Sequence, residues 1–426
     1  MSWPSIIAMI AISVYNIIDT FWLAQVSHQA LAALTVCFPI QMIFAAIGVG
    51  TGVGAGSFSA RMFGAGKLIQ AKQTAGQIFF LSFFFGLTLI LAVIFFRDPI
   101  LIFFGAFDEI MPLCRAYLDI IIFSAPFLFF SMMSNNLLRA EGRPILSMVV
   151  VLISSASSAI LDPLLIFGIG PFPRLEMQGA ALAAVIAQFS ASLFSIYFLQ
   201  LKSSKYELKW RYLLPDISII KSIFATGLPS VITNFIITLV LIIYNHVLAH
   251  FGSLAIAALG ICFRVNGLIT MILFGIGFGI MPVIGFSQGA KLHQRLRQTV
   301  AVSVKVATYF AAVSSILLVV FAQPIVGIFS KDPALIAMAT RALRIYVSVL
   351  VFAAPITIYI NLFIGLGKGT LAMYLLFFRD TILLIPLLIA HSDEIGHLFR
   401  VKTAGCSDAN QPPCRSEATL AFSSFS

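Results

Sequence analysis

The chain is a succession of apolar runs, each near the roughly 20 residues that cross a bilayer as a helix. They lie at about 4–25, 30–56, 73–96, 116–138, 145–168, 177–200, 222–249, 254–285, 299–321, 342–365 and 370–390. Inside lipid every backbone polar group must find a partner within the chain, so runs of this length become helices. With 60% hydrophobic and 10% charged residues and a mean hydropathy of +1.04, the chain has too little charge to cover a water-facing surface. The runs predict an all-α polytopic membrane protein with eleven spans and the lipid bilayer as its solvent. The first run is too long for a cleavable signal peptide and lacks a basic lead-in.

Charge orients the spans. Basic residues crowd every second loop: Arg61, Lys67 and Lys72; Arg139 and Arg143; Lys202, Lys205, Lys209, Arg211 and Lys221; Lys291, Arg295 and Arg297; Lys368. The intervening loops hold fewer, with Asp98, Asp108, Glu109, Glu176 and Asp332 among them. The positive-inside rule then puts the N-terminus in the cytoplasm and the chain in a plasma membrane, the inner membrane of a bacterium. The net charge of +10 is topological, and no nucleic acid is expected as a partner. Cys37, Cys114 and Cys262 fall in or beside spans, and Cys406 and Cys414 lack a second Cys/His pair, so neither a disulfide framework nor a metal site is expected.

The chain repeats itself. Shifted by 225 residues, its halves align without a gap for about sixty positions. "PSII" from Pro4 meets "PSVI" from Pro229, "ALAALTVCF" (30–38) meets "AIAALGICF" (255–263), and Gly50, Gly52 and Gly54 meet Gly275, Gly277 and Gly279. Each unit should hold six spans, and an even number returns the chain to its starting side. The repeats are therefore parallel, two lobes around a central cavity, related by an axis along the membrane normal. The lobes are read as 1–200 (spans 1–6) and 222–390 (spans 7–11), joined by a cytoplasmic linker at 201–221. Residues 391–426 are too polar to supply a twelfth span, so that helix is missing from the reading. A misassigned start with a frameshifted or truncated end is one account of this; a natural soluble tail is the other.

"YNIIDTFWLA", the glycine-rich second span running into "ARMFGAGK", "NNLLRAEGRP", "LDPLLIFG" followed by "QGAALAAVIAQ", and "LGKGT" ahead of Arg379 together resemble the multidrug and toxic compound extrusion family, in its DinF-like branch. The resemblance covers roughly residues 1–390 and implies a monomeric secondary transporter for small organic substrates. It implies no cofactor beyond H⁺ or Na⁺ as the coupling ion. The superfamily also holds flippases for lipid-linked precursors. A flippase, or a non-transporting remnant, is the alternative function.

An acid within a span costs at least about 2.5–3.5 kcal/mol, so each needs a compensating partner. Asp19 lies fifteen residues into outward-running span 1, and Asp162 seventeen into outward-running span 5, which puts both at similar depth. Two carboxylates at one depth should share a proton or a cation. Tyr15 lies one turn before Asp19, and Ser158 one turn before Asp162, each on its acid's helical face. Tyr117 should reach the same level. The resemblance carries Asp19, Asp162, Tyr15 and Tyr117 onto a cation or proton site, and Asn135 onto an asparagine of its network. Asn135 lies about 27 Å from Tyr117 on one helix, so the two cannot touch the same ion. Ser158 stands where the family pattern has an amide, and alanines replace threonine in span 6. Sodium prefers several oxygen ligands, so these changes favour protons. The plain alternatives are helix gluing by Asp19 and helix capping by Asp162 beside Pro163.

The second lobe offers less. Spans 7 and 10 contain no acid, and Tyr244, Asn245 and His246 stand opposite Asp19 in the repeat. His246 is a second candidate proton site or a satisfied histidine, and Arg264 has no assigned role. Pro4 and Pro229 should kink their helices. Glycines at 48–56 and 275–279 permit close packing. Gln41, Gln188, Asn234 and Asn266 are candidate cavity residues. "FGAGK" departs from a phosphate loop at Arg61 and Leu68, and no metalloprotease motif occurs, so the chain is not read as an enzyme. The reading is an antiporter that exports lipophilic, often cationic compounds for H⁺ or Na⁺. Because span 11 runs outward, a reporter active only in the cytoplasm and fused after Ser426 is expected to be silent. A bright signal would overturn the span count or the orientation.

Overall fold

The computed structural model describes residues 2–106, 109–202, 204–206, 210–249, 253–329 and 333–379, without the side chains of 24, 28, 31, 32, 210, 236–249, 253–259, 263, 264, 268, 328, 329, 334 and 349. These residues belong to one compact unit, Met1–Asp380. Helices α1 (Ser2–Val26), α2 (His28–Gly64), α3 (Leu68–Phe103), α4 (Met111–Ile121), α5 (Ala125–Ala140), α6 (Pro144–Phe167) and α7 (Glu176–Gln200) form the first repeat. A short α8 (Trp210–Leu213) lies in the connection. The second repeat holds α9 (Ile217–Ala249), α10 (Ser253–Gly289), α11 (His293–Val320), α12 (Ala322–Phe329), α13 (Pro333–Gly365) and α14 (Gly369–Phe377). Among the described residues nine helices are long and apolar enough to cross a membrane, ten if the halves of α13, bent by 45°, count as one. The eleventh run is described only as far as Arg379, and the 391–426 tail lies outside the described residues.

Local sequence sets the breaks. Ser27 accepts the Ala30 N–H at 3.0 Å and opens α2. Gly168 closes α6 at φ 71°, a conformation that favours glycine. The fourth run, expected as a single helix, is divided by a 3₁₀ turn at Ile122–Ser124. Pro126 at the start of α5 cannot donate to the preceding turn, which is why the α-helical ladder breaks there. Pro4 occupies the first turn of α1, where its missing N–H removes no intrahelical bond, so the kink expected there is absent. Pro229 is inside α9. A break in helical geometry does occur at Phe96 of α3, one turn before Pro99.

The sequence repeat is also a contact repeat. Gly50 packs on Val231 of α9, and its counterpart Gly275 packs on Ile6 of α1. Gly54 lies against Ile223 and Gly227, and Gly279 against Ser2. A Cβ on Gly64 would stand 2.1 Å from the Phe286 carbonyl oxygen, and one on Gly289 2.1 Å from that of Arg61. Within the lobes, Gly52 meets Asn136 and Gly277 meets Asn361. Apart from Gly54–Ile223, every pair is mapped onto its twin by the same 225-residue shift, as two parallel repeats on a pseudo-two-fold axis require. The lobes meet at the ends of α2 and α10 that lead into basic loops. There Ser57 Oγ also donates to the Ile364 carbonyl at 2.6 Å.

The connecting segment is strapped to the first repeat. Tyr206 is buried; its hydroxyl donates to the Leu137 carbonyl at 3.2 Å and lies 2.6 Å from Ser59 Oγ. Gln77 donates to the Tyr212 and Leu214 carbonyls and accepts the Asp216 N–H. At the opposite end of α3, Arg115 grips Asp98 with two bonds of 2.9 Å, tying α3 to α4.

Valine at Gly64 or Gly289 is expected to overpack the same contact from either side. Each should cost a similar amount, about 1–3 kcal/mol, and widen the lobe separation at the basic-loop end. Thermal unfolding and spin-label distances across that end check this. Unequal responses at the two positions would contradict a symmetric contact.

Candidate functional site

A cavity of about 350 Å³ opens among α1, α2, α5, α6 and α7, with Phe278 of α10 reaching in from the second repeat. Asp19 and Arg139 are the charged residues on its wall. Gln41 and Gln188 line it, as do Asn16, Asn135 and Asn136. A second, open groove of about 490 Å³ on the second repeat carries Arg297 and Lys305 and is remote from both acids.

The structure gathers most of the candidate site residues into one cluster. Helices α1 and α6 pack along each other, which brings the Tyr15 hydroxyl near that of Ser158. Asp19 interacts electrostatically with Asp162, Tyr15 and Tyr117. Tyr117 is buried, and its hydroxyl accepts a 2.7 Å bond from Gln41 Nε2. Asp19 faces the cavity, whereas Asp162 is 1% exposed and lies behind it. Neither carboxylate oxygen of Asp162 has a hydrogen-bond partner among the described residues. A buried carboxylate without a donor carries the full desolvation cost of its charge, which only a proton or a bound cation relieves.

Asn135 stands apart from this cluster. Its Nδ2 donates to the Ser147 carbonyl at 3.1 Å, and its Oδ1 accepts from the Ser147 hydroxyl. Arg139 Nε donates to the same Ser147 oxygen at 2.9 Å. The sequence placed Arg139 among the basic loop residues; it instead ends α5, is buried, and lines the cavity. Asn16 was also missed, although its place three residues before Asp19 puts it near that acid's helical face. Asn234 donates to the Ser230 carbonyl and Asn266 to Thr270. Neither lines the cavity described. The side chains of Tyr244, Asn245, His246 and Arg264 lie outside the described residues.

Known proteins match both repeats. The family model MatE, that of multidrug and toxic compound extrusion, matches residues 4–164 and again 229–389, the same 225-residue offset. The chain belongs to this family. It is 32% identical over 337 residues to a protein named FAD transporter from Shewanella oneidensis, covering 78% of this chain and 74% of the relative. It is 28% identical over 393 residues to the multidrug export protein MepA of Staphylococcus aureus, covering 92% and 86%. A MATE family multidrug resistance transporter solved in an outward-facing conformation superposes with a TM-score of 0.84 at 25% identity, over 90% of this chain and 85% of that one. A MOP superfamily transporter from Pyrococcus furiosus, described as having a binding pocket of reverse polarity, superposes with a TM-score of 0.83 at 25% identity, over 89% and 84%. This MATE chain is thus an integral membrane transporter and not an enzyme.

Asp162→Asn removes a titratable charge from a site with no donors. Its thermal unfolding midpoint is expected to stay level or rise by a few degrees. A clear fall would show that the ionised carboxylate has a partner that stabilises it.

Proposed function

We propose that this MATE transporter is a monomeric antiporter of the bacterial inner membrane, with its N-terminus in the cytoplasm, that exports lipophilic, often cationic organic compounds in exchange for H⁺. The observation that carries the reading is the donor-free, buried Asp162 coupled to cavity-facing Asp19. A group that needs a proton for its own burial, beside one that faces the substrate space, links protonation to cavity shape. With basic loops on the cytoplasmic side, the glycine contact closes the cytoplasmic end and the cavity faces outward. A proton entering from outside settles on the Asp19/Asp162 pair and tightens α1 against α6, which pack along each other there. That shift disfavours the substrate-bound state, so cargo leaves before the lobes rock. The ion moves the equilibrium only by its differential affinity for the two states.

Sodium is the less favoured coupling ion, because Ser158 and the alanines of α7 add few oxygens around the acids. The flippase alternative calls for several cations on the cavity wall, and Arg139 is alone there among the described residues. The relatives' names point to different cargoes, drugs for one and FAD for another, so cargo is argued from the cavity.

In inverted vesicles at matched expression, Asp19→Asn is expected to abolish proton-driven uptake of a fluorescent cation; wild-type rates would remove Asp19 from coupling. Wild-type uptake should follow ΔpH in sodium-free buffer. Strict dependence on a sodium gradient at fixed pH would reverse the choice of ion.

A further inference from the structure

We infer that the cavity floor is an anion site, where the Arg139 guanidinium holds the phosphate or carboxylate of a substrate whose body is flat and apolar. This rests on the cavity being the transport site and adds an anionic class to the lipophilic, often cationic compounds it is proposed to export.

Arg139 is 5% exposed, and its guanidinium stays charged at any physiological pH. It carries five N–H donors, of which Nε alone has a protein acceptor among the described residues, the Ser147 hydroxyl. Ion pairs among those residues engage Arg97, Arg115, Arg143 and Arg174, not Arg139. Glu141, the acid nearest in sequence, lies 3.8 Å from Arg143 and accepts from Ser204 and the Lys205 backbone. A buried cation without a counter-charge is costly. Arg139 is part of the cavity wall, so a ligand oxyanion is the partner its remaining donors fit.

The fork is also held in one orientation. Ser147 accepts from Arg139 and donates to Asn135, whose amide is tied back to the Ser147 carbonyl. Cζ of Arg139 stands 5.4 Å from the centre of the Phe278 ring. Phe278 therefore stacks on the guanidinium while sharing the cavity wall with it, and offers a surface to a flat ring. The acid cluster lies about 30 Å away along α4 and α5, judged from Tyr117 to Arg139 at 1.5 Å per residue. An oxyanion at the floor is thus far from the carboxylates that would repel it.

The test compares riboflavin with riboflavin 5′-phosphate, one fluorescent ring system without and with an oxyanion, binding to the full chain in neutral-lipid nanodiscs. The wild type should bind the phosphate at least about 10-fold more tightly, equivalent to about 1.4 kcal/mol. Arg139→Gln should reduce the ratio to about one while ethidium still binds. Ser147→Ala, which keeps the charge, should retain the preference, and Arg139→Lys should retain part of it. If the glutamine variant fails to fold, the wild-type ratio and the lysine variant decide. No preference in the wild type, or an unchanged one in Arg139→Gln or Arg139→Lys, overturns the anion site. Anionic lipid in the nanodisc that abolishes the preference would assign the arginine to a lipid headgroup and equally overturn it. Because binding is read without a gradient, failure of proton-driven export with the preference intact would count against the coupling mechanism alone.

Discussion

Everything else in this transporter depends on how closely α2 and α10 approach the opposite repeat. Gly64 and Gly289 each face a carbonyl at a distance no Cβ tolerates, and Gly50, Gly54, Gly275 and Gly279 continue the contact toward the membrane interior. Lipid gives two apolar helices no hydrophobic reason to associate, so close backbone packing must supply the attraction. The result is a contact that is tight, small and mirrored on a pseudo-two-fold axis. Such a contact has a natural alternative: it can open at one end while another forms at the other.

With that end closed, the first repeat encloses the polar chemistry. Two carboxylates and two tyrosines meet where α1, α4 and α6 come together, behind and beside the cavity. A single guanidinium stands at the cavity's far end. Separating opposite charges along one cavity keeps each from neutralising the other. Each is left in want of a partner from outside the chain, a proton at one end and an oxyanion at the other. In the proposed mechanism cargo and ion act on different ends of the same helices. The link between them runs through the rigid bodies of α1, α5 and α6 and not through direct contact.

The strapped connection adds a constraint on movement. Tyr206, Tyr212 and Leu214 bind the segment to α2, α3 and α5 by hydrogen bonds to buried groups. The strapped segment ends near Asp216, whose N–H Gln77 accepts just ahead of α9.

The sequence alone determined the features that solvent and duplication dictate. Span length and apolar content set the helices, loop charge set the expected orientation, and the 225-residue repeat set which glycines would be twins. The proximity of Tyr15, Asp19, Ser158 and Asp162 was legible because helical geometry fixes which side chains share a face and a depth. Other features were decided only by tertiary structure. Asp162 lies behind the cavity while Asp19 faces it, because that depends on how α1 rotates against α6. The fourth run breaks at Ile122–Ser124, a consequence of Pro126 that hydropathy does not register. Arg139 reads in sequence as one more basic loop residue. It becomes a buried cavity cation because α5 continues two residues past the apolar run and Phe278 closes over it from a helix about 140 residues away, a pairing that only packing creates.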